Sequence, residues 1–346
     1  MKIIITQILI KYTPEFECYK RCPELQHRPR NLTPLSKTET FPLRVMTINE
    51  ATVPGTIQIW EAIYEEQLKR THEQMQDIAV PSFNDQLTNA RVRGAKIMRC
   101  KDVNPFLRLD NIQLGYGVFH KCMNLLWALL KTHQGAVDQL GSLKYFFALL
   151  EKTRLSNDKP DYHTLLSAVM QVLDGIILAA WQQECGHPSL QAFAATNPTP
   201  LKLLEISEQI ILNYATAMEE IPKPKKKRAT KQKAKPDGKE NQSDGEEVDS
   251  GRDDNDVSVQ PDGPTLPIDL DNPQDDLAHR NIRLLVRDLL FVAELVQATE
   301  EGNWGRIEDI LGQLTMMFRG AGSNNYSTEL LHFLRSLKLV WGEDFA

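Results

Sequence analysis

The chain has 346 residues, 41% of them apolar and 25% charged, which is enough apolar material for a sizeable core and excludes a wholly disordered polymer. Its net charge of −6 excludes a general basic field of the kind that grips nucleic acid, so any such contact has to be local. The five cysteines, Cys18, Cys22, Cys100, Cys122 and Cys185, are odd in number and irregular in spacing; they give no disulfide framework and fit reduced thiols in a cytosolic or nuclear protein.

The apolar run from Met1 to Ile10 is broken by Thr6 and Gln7 and is followed by no small-residue cleavage site, so it reads as a β-strand or a frayed start, not a signal peptide. No run approaches the roughly 20 apolar residues that span a bilayer, and no membrane partner is expected. Pro14, Pro23, Pro29, Pro34 and Pro42 remove amide donors and fix φ, which predicts an irregular N-terminal arm over residues 1–40.

A mostly helical domain is expected over residues 41–220, with short strands in its first part. Leu43–Ile48 reads as a short strand, and Thr56–Gln76 has apolar residues at helical spacing. Ile78–Phe83 reads as a strand that Pro81 confines to an edge or an end. Asp85 follows it, and Gln86–Arg99 resumes as a basic helix. Leu114–His120 is β-like and contains two glycines. Met123–Leu130 is apolar nearly all round, which predicts a buried helix. Gly141–Arg154, Tyr162–Glu184 and Leu201–Glu219 are three more amphipathic helices, separated by breaks at Pro160 and Pro188.

Residues 221–276 change character. Lys223–Lys239 is almost all basic and small polar, Glu240–Asp276 is acidic, and neither half holds an aromatic residue. Such a polyampholyte cannot bury enough apolar area to offset the entropy of ordering, which predicts a disordered insert. Residues 277–346 return to helices, Leu277–Thr299, Trp304–Phe318 and Tyr326–Val340, packing on the same domain. The fold class expected is therefore mainly α with a few short strands.

Lys225, Lys226, Lys227 and Arg228 follow two prolines and form a run of cations suited to an import receptor, hence a nuclear location, or to DNA phosphates; a solvated charge block is the plainer reading. Ser243 and Ser250 precede acidic residues, the setting that acid-directed kinases favour, although ordinary solvated serines look the same. Cys18 and Cys22 with nearby His27 resemble part of a zinc site that lacks a fourth ligand. No phosphate loop, nucleophile elbow or kinase motif occurs, and no small-molecule cofactor is evident. Asp85 just past a strand and Glu329 in the first turn of a late helix are placed as carboxylates of a two-metal phosphoryl-transfer site would be. Each also suits a helix N-terminus, Asp85 as a cap and Glu329 as a charge against the dipole.

Several stretches resemble one family. Phe83-Asn-Asp-Gln-Leu-Thr-Asn-Ala-Arg-Val-Arg-Gly-Ala-Lys96 is similar to its Gly-Asp-Gln-Leu-Thr…Arg segment, Gly117–Asn124 to its Phe-His…Met-Asn step, and Gly320–Leu330 is also typical. The family is catalogued as domain of unknown function 6589 and is expanded in mushroom-forming fungi; the resemblance runs from about residue 40 to the C-terminus. It implies a layout similar to transposases, with an RNase H-like core and a large helical insertion. On that analogy Asp85 matches the second acid, Glu329 the third, His120 supports the site, and Mg or Mn serves only if the chain is an enzyme. Asn84 stands where the family has Gly, and no Asp precedes Asp77, so a first acid is missing and the core is expected to be incomplete, as in a truncated or decayed member. The expected function is a transposon-derived nuclear protein that is non-catalytic as given. The alternatives are a helical interaction scaffold with a charged loop, and a metal-dependent DNA strand-transfer enzyme if an upstream segment exists.

Overall fold

Lys2–Tyr12 forms α1 in the computed structural model, which describes residues 1–32, 36–75, 77–155, 157–216 and 276–342. This corrects the strand expected there, and the reason is burial on every side. Ile4, Ile5, Ile8 and Leu9 are all buried, and Thr6, which interrupts the apolar run, is satisfied by its hydroxyl bond to Ser207 at 2.8 Å. A helix satisfies its own backbone, so β-branched residues accept it when packing outweighs propensity. Lys11 and Tyr12 close α1 against Asp174, at 3.1 and 2.6 Å.

The arm expected over residues 1–40 is corrected with it. Pro14–Arg21 and Pro23–Leu25 are 3₁₀ turns, each opening on a proline, and Phe16 and Leu25 are fully buried. Beyond them the chain is irregular but held. Leu32 bridges Asn303, and the Arg30 guanidinium meets Asp309 at 2.8 Å. Arg306 sits behind this contact, buried, with Glu294 and Glu301 each at 2.6 Å and His27 at 3.1 Å. Burial and the Arg306 charge push His27 down to about 4.

Two parallel strands form the one sheet among the described residues. Val80–Asn84 (β1) pairs with Ile112–Tyr116 (β2), Val80 opposite Ile112 and Asn84 opposite Tyr116. Parallel pairing requires a crossover, supplied by Gln86–Met98 (α4). Val53–Glu61 (α2), continued as a π-helical turn over Ala62–Gln67, and the short His72–Met75 (α3) cover this unit. Its cores are small: Val92, Ala95, Leu109 and Ile112 in one, Tyr64, Met75 and Phe106 in the other. The strand expected at Leu43–Ile48 is absent. Val45 is 98% exposed there, and only the Gln67 amide bonds the Arg44 backbone, at 2.7 and 3.1 Å, so no strand neighbours it.

The remaining helices build the main core. They are Val118–His133 (α5), Leu143–Leu149 (α6), Tyr162–Glu184 (α7), Leu190–Ala194 (α8), Pro200–Tyr214 (α9), Leu277–Glu300 (α10), Trp304–Gly320 (α11) and Asn324–Arg335 (α12). α8 was not foreseen; five residues between Pro188 and Pro198 are too short for a periodic signal. Among the described residues only α7 is long and apolar enough to cross a membrane, and its Leu165, Ile177 and Trp181 are fully buried in this core. Residues before 217 and after 277 share one compact unit. Among the described residues the protein is mainly α with two short strands. Lys225–Arg228, Ser243, Ser250 and the disorder expected over 221–276 lie outside the described residues, apart from Asp276.

α1 is central, with Leu9 fully buried and the Trp181 indole donating to the Ile5 carbonyl at 3.0 Å. Leu9→Ala should therefore lower unfolding stability by about 2–5 kcal/mol in urea denaturation. A change below about 0.5 kcal/mol, the range of surface substitutions, would show that α1 is a dispensable arm.

Candidate functional site at the carboxyl ends of the strands

β1 ends at Asn84 and β2 at Tyr116, and each runs directly into a helix, α4 after Asp85 and α5 after Gly117. Because the strands are parallel, both helix N-termini lie at the same end of the sheet. That end is where open α/β sheets bind ligands, since amide N–H groups and helix dipoles converge there. The Gly117 amide donates to the Asn84 carbonyl at 2.9 Å, which stitches the two turns together.

Asp85 caps α4, its Oδ1 accepting from the Thr88 amide at 2.7 Å. Partial burial opposes its ionisation, but the bonds from Thr88 and the charges of His120 and Arg91 hold its pKa below the ordinary carboxylate value. His120 lies in the first turn of α5 and is exposed, not at the end of a strand as the glycine-rich β-like stretch suggested.

Glu329 lies in the second turn of α12, one turn further in than expected, and is 3% exposed. Its Oε1 accepts from the Asn89 amide at 2.7 Å and its Oε2 from the Arg93 guanidinium at 2.6 Å. Asn89 also donates to the Gly115 carbonyl at 2.8 Å and accepts from Asn84 at 2.9 Å. One network thus joins β1, α4, β2 and α12.

Lys121, on the inner side of α5, completes the cluster. It is 3% exposed, and its ammonium has no hydrogen-bond partner among the described residues. It stands over the rings of Tyr326 and Tyr116, 5.0 and 5.5 Å from their centroids. Burial drives its pKa down to about 8; Glu329 opposes that shift and Arg93 adds to it. Burial and the nearby Asp85 charge raise the Tyr326 phenol, and burial, Arg93 and Arg335 outweigh Glu329 in lowering His332.

The fold brings Asp85, His120 and Glu329 to one end of the sheet. It does not present them as ligands for a divalent cation. Both oxygens of Glu329 are engaged by N–H donors, and Arg93 and Lys121 supply the positive charge a metal would bring. Among the described residues no group of three or more His, Cys, Asp or Glu side chains could hold a metal. Cys22 turns to Glu24 and His27 to Arg306, so the zinc-like spacing comes to nothing. Asn89, Arg93, Tyr116 and Lys121 were not singled out from the sequence. Gly115 and Gly117 bracketing the end of a strand just before a helix is the signal that points to them.

Because burial pushes Lys121 down to about 8 in the folded chain, against about 10.5 for the ordinary side chain, the unfolded chain holds more protons between those values, so stability rises with pH there. Lys121→Met should remove that rise and increase stability near neutral pH by roughly 1–3 kcal/mol. Denaturation curves of both proteins on either side of the transition check this. A less stable variant at neutral pH would mean that the tyrosine rings and Glu329 more than offset the desolvation.

The chain matches, over residues 1–346, a family described as "Family of unknown function (DUF6589)". The match takes in the first 40 residues as well, beyond the stretch from which the resemblance was drawn. No curated protein and no solved structure matches.

Proposed function

We propose, for a chain that belongs to this family of unknown function, a non-catalytic binding role in a transposon-derived nuclear protein. The observation that carries it is the clamp on Glu329, whose two oxygens are held by Asn89 and Arg93. A two-metal mechanism needs that carboxylate free and the surrounding charge negative, whereas Arg93 and Lys121 make it positive. The transposase-like origin rests on the layout the resemblance implies: an acid at the end of a strand, Asp85, and another on a late helix, Glu329, at one end of the sheet. DNA contact is assigned to Lys223–Lys239, and nuclear import to Lys225–Arg228.

Fluorescence anisotropy with duplex DNA across a salt series tests the reading. Affinity should fall steeply with salt, and replacing Lys225, Lys226, Lys227 and Arg228 with Ala should flatten the logarithmic slope by about one per residue. The same substitutions should move a fluorescent fusion out of the nucleus. No cleavage should occur with magnesium or manganese. Metal-dependent cleavage that disappears in Asp85→Ala would make the chain an enzyme. Binding to proteins without DNA binding would make it a scaffold.

A further inference from the structure

We propose that the first turn of α5, Gly117–Lys121, is a binding site for a phosphate-type oxyanion. The amides of Val118, Phe119 and His120 meet no hydrogen-bond acceptor among the described residues, and the first helical bond runs from the Lys121 amide to Gly117. Gly117 at the N-cap has no side chain with which to satisfy them. A helix of 16 residues presents the positive end of its dipole there. Phosphate oxygens match such a turn because several accept N–H bonds at once.

A free helix end is common; a buried, unpaired ammonium one turn into the same helix is not. The Lys121 ammonium is buried, the residue 3% exposed, and it meets no hydrogen-bond partner among the described residues. Buried polar atoms in native proteins are nearly always paired, so an orphaned ammonium next to uncapped amides points to something it receives. Tyr116 immediately precedes the turn. Helical side chains lean toward the N-terminus, which carries the Lys121 stem back toward it, and the ammonium lies over the Tyr116 ring. The outer side of the turn is open, with Phe119 55% exposed and His120 exposed.

The nearby carboxylates do not cancel this attraction. Glu329 is matched by Arg93 at 2.6 Å, and Asp85 is tied to the Thr88 amide at 2.7 Å with Arg91 close by. Lys121 is the buried cation of the cluster, and its ammonium meets no hydrogen-bond partner among the described residues. The low pKa that burial gives it means that an anion at the turn would stabilise its charged form. The site belongs to the folded unit and does not rest on DNA binding by Lys223–Lys239.

The test is a titration of the full chain with inorganic phosphate, followed by amide NMR signals, in a background where Lys225, Lys226, Lys227 and Arg228 are Ala. Saturable shifts at Val118, Phe119, His120 and Lys121 are expected. Lys121→Met should weaken binding about tenfold or more. Gly117→Asp should abolish binding with the melting temperature unchanged or raised, because aspartate caps the same amides itself. No saturable shift, or equal affinity in both variants, would overturn the site. A short oligothymidylate and pyrophosphate then separate the sources. If Phe119→Ala weakens the oligonucleotide and not pyrophosphate, the phosphate belongs to a nucleic-acid strand stacked on Phe119; if neither changes, it belongs to a free phosphate or nucleotide.

Discussion

The carboxylate of Glu329 is the constraint on which the β1–α4–β2 unit depends. A two-stranded sheet with a few buried residues is marginal in water by itself. Here α12 reaches over and places one buried charge between Asn89 and Arg93, while Asn89 passes the connection to the Gly115 carbonyl in β2. Removing one partner of such a buried pair leaves an uncompensated charge that costs about 3–5 kcal/mol, comparable to the whole margin of a small unit. The clamp therefore fixes the register of α12 on α4. The site inherits its geometry from a single side chain 240 residues away in sequence from Asn89.

The same carboxylate decides the chemistry of that end of the sheet. Clustered acids need positive charge, and either divalent cations or Arg and Lys side chains can supply it. The α4 helix puts Arg93 one turn after Asn89, and the α5 helix puts Lys121 against Glu329 from the other side. A divalent cation entering there would meet two fixed cations and a carboxylate with both oxygens engaged. The end of the sheet is thus built for negative groups, even though Asp85 and Glu329 are its most conspicuous residues in the sequence.

Much of the fold could be read from the sequence because packing and local preference agree along most of it. Tyr162–Glu184 appears with the expected bounds, the Asp85-capped α4 ends at Met98, one residue short of the expected Arg99, and the proline-limited strand expected at Ile78–Phe83 forms as Val80–Asn84. The misreadings fall where they disagree. The isoleucines of α1 favour a strand, and only contact with α7 and α9, far along the chain, makes them helical. Leu43–Ile48 has strand residues with no strand beside them. At the site, Asp85 and Glu329 were visible because acids at a strand end and on a late helix carry recognisable chemistry, and His120 was visible through the resemblance. Lys121 was not, because only tertiary burial among Tyr116, Tyr326 and Glu329 makes an ordinary helical lysine unusual.

How the helix ends are satisfied sharpens the reading of α5. Thr52, Asp85, Ser142, Asp161, Ser189 and Thr199 each cap their helix with a side-chain oxygen. α11 lacks such a cap, yet the carbonyls of Asn31 and Arg30 accept from Trp304 and Gly305, so the arm does the work. At α5, as at α1 and α12, no side-chain cap is present among the described residues, and the residue that could have been Asp or Ser is Gly117. A glycine there forgoes the stabilisation a capping oxygen contributes, and Lys121 adds a desolvation cost of its own. Two unfavourable choices at one turn reinforce each other only if a negative group from outside meets both, since the oxygens that would satisfy the amides would also neutralise the ammonium.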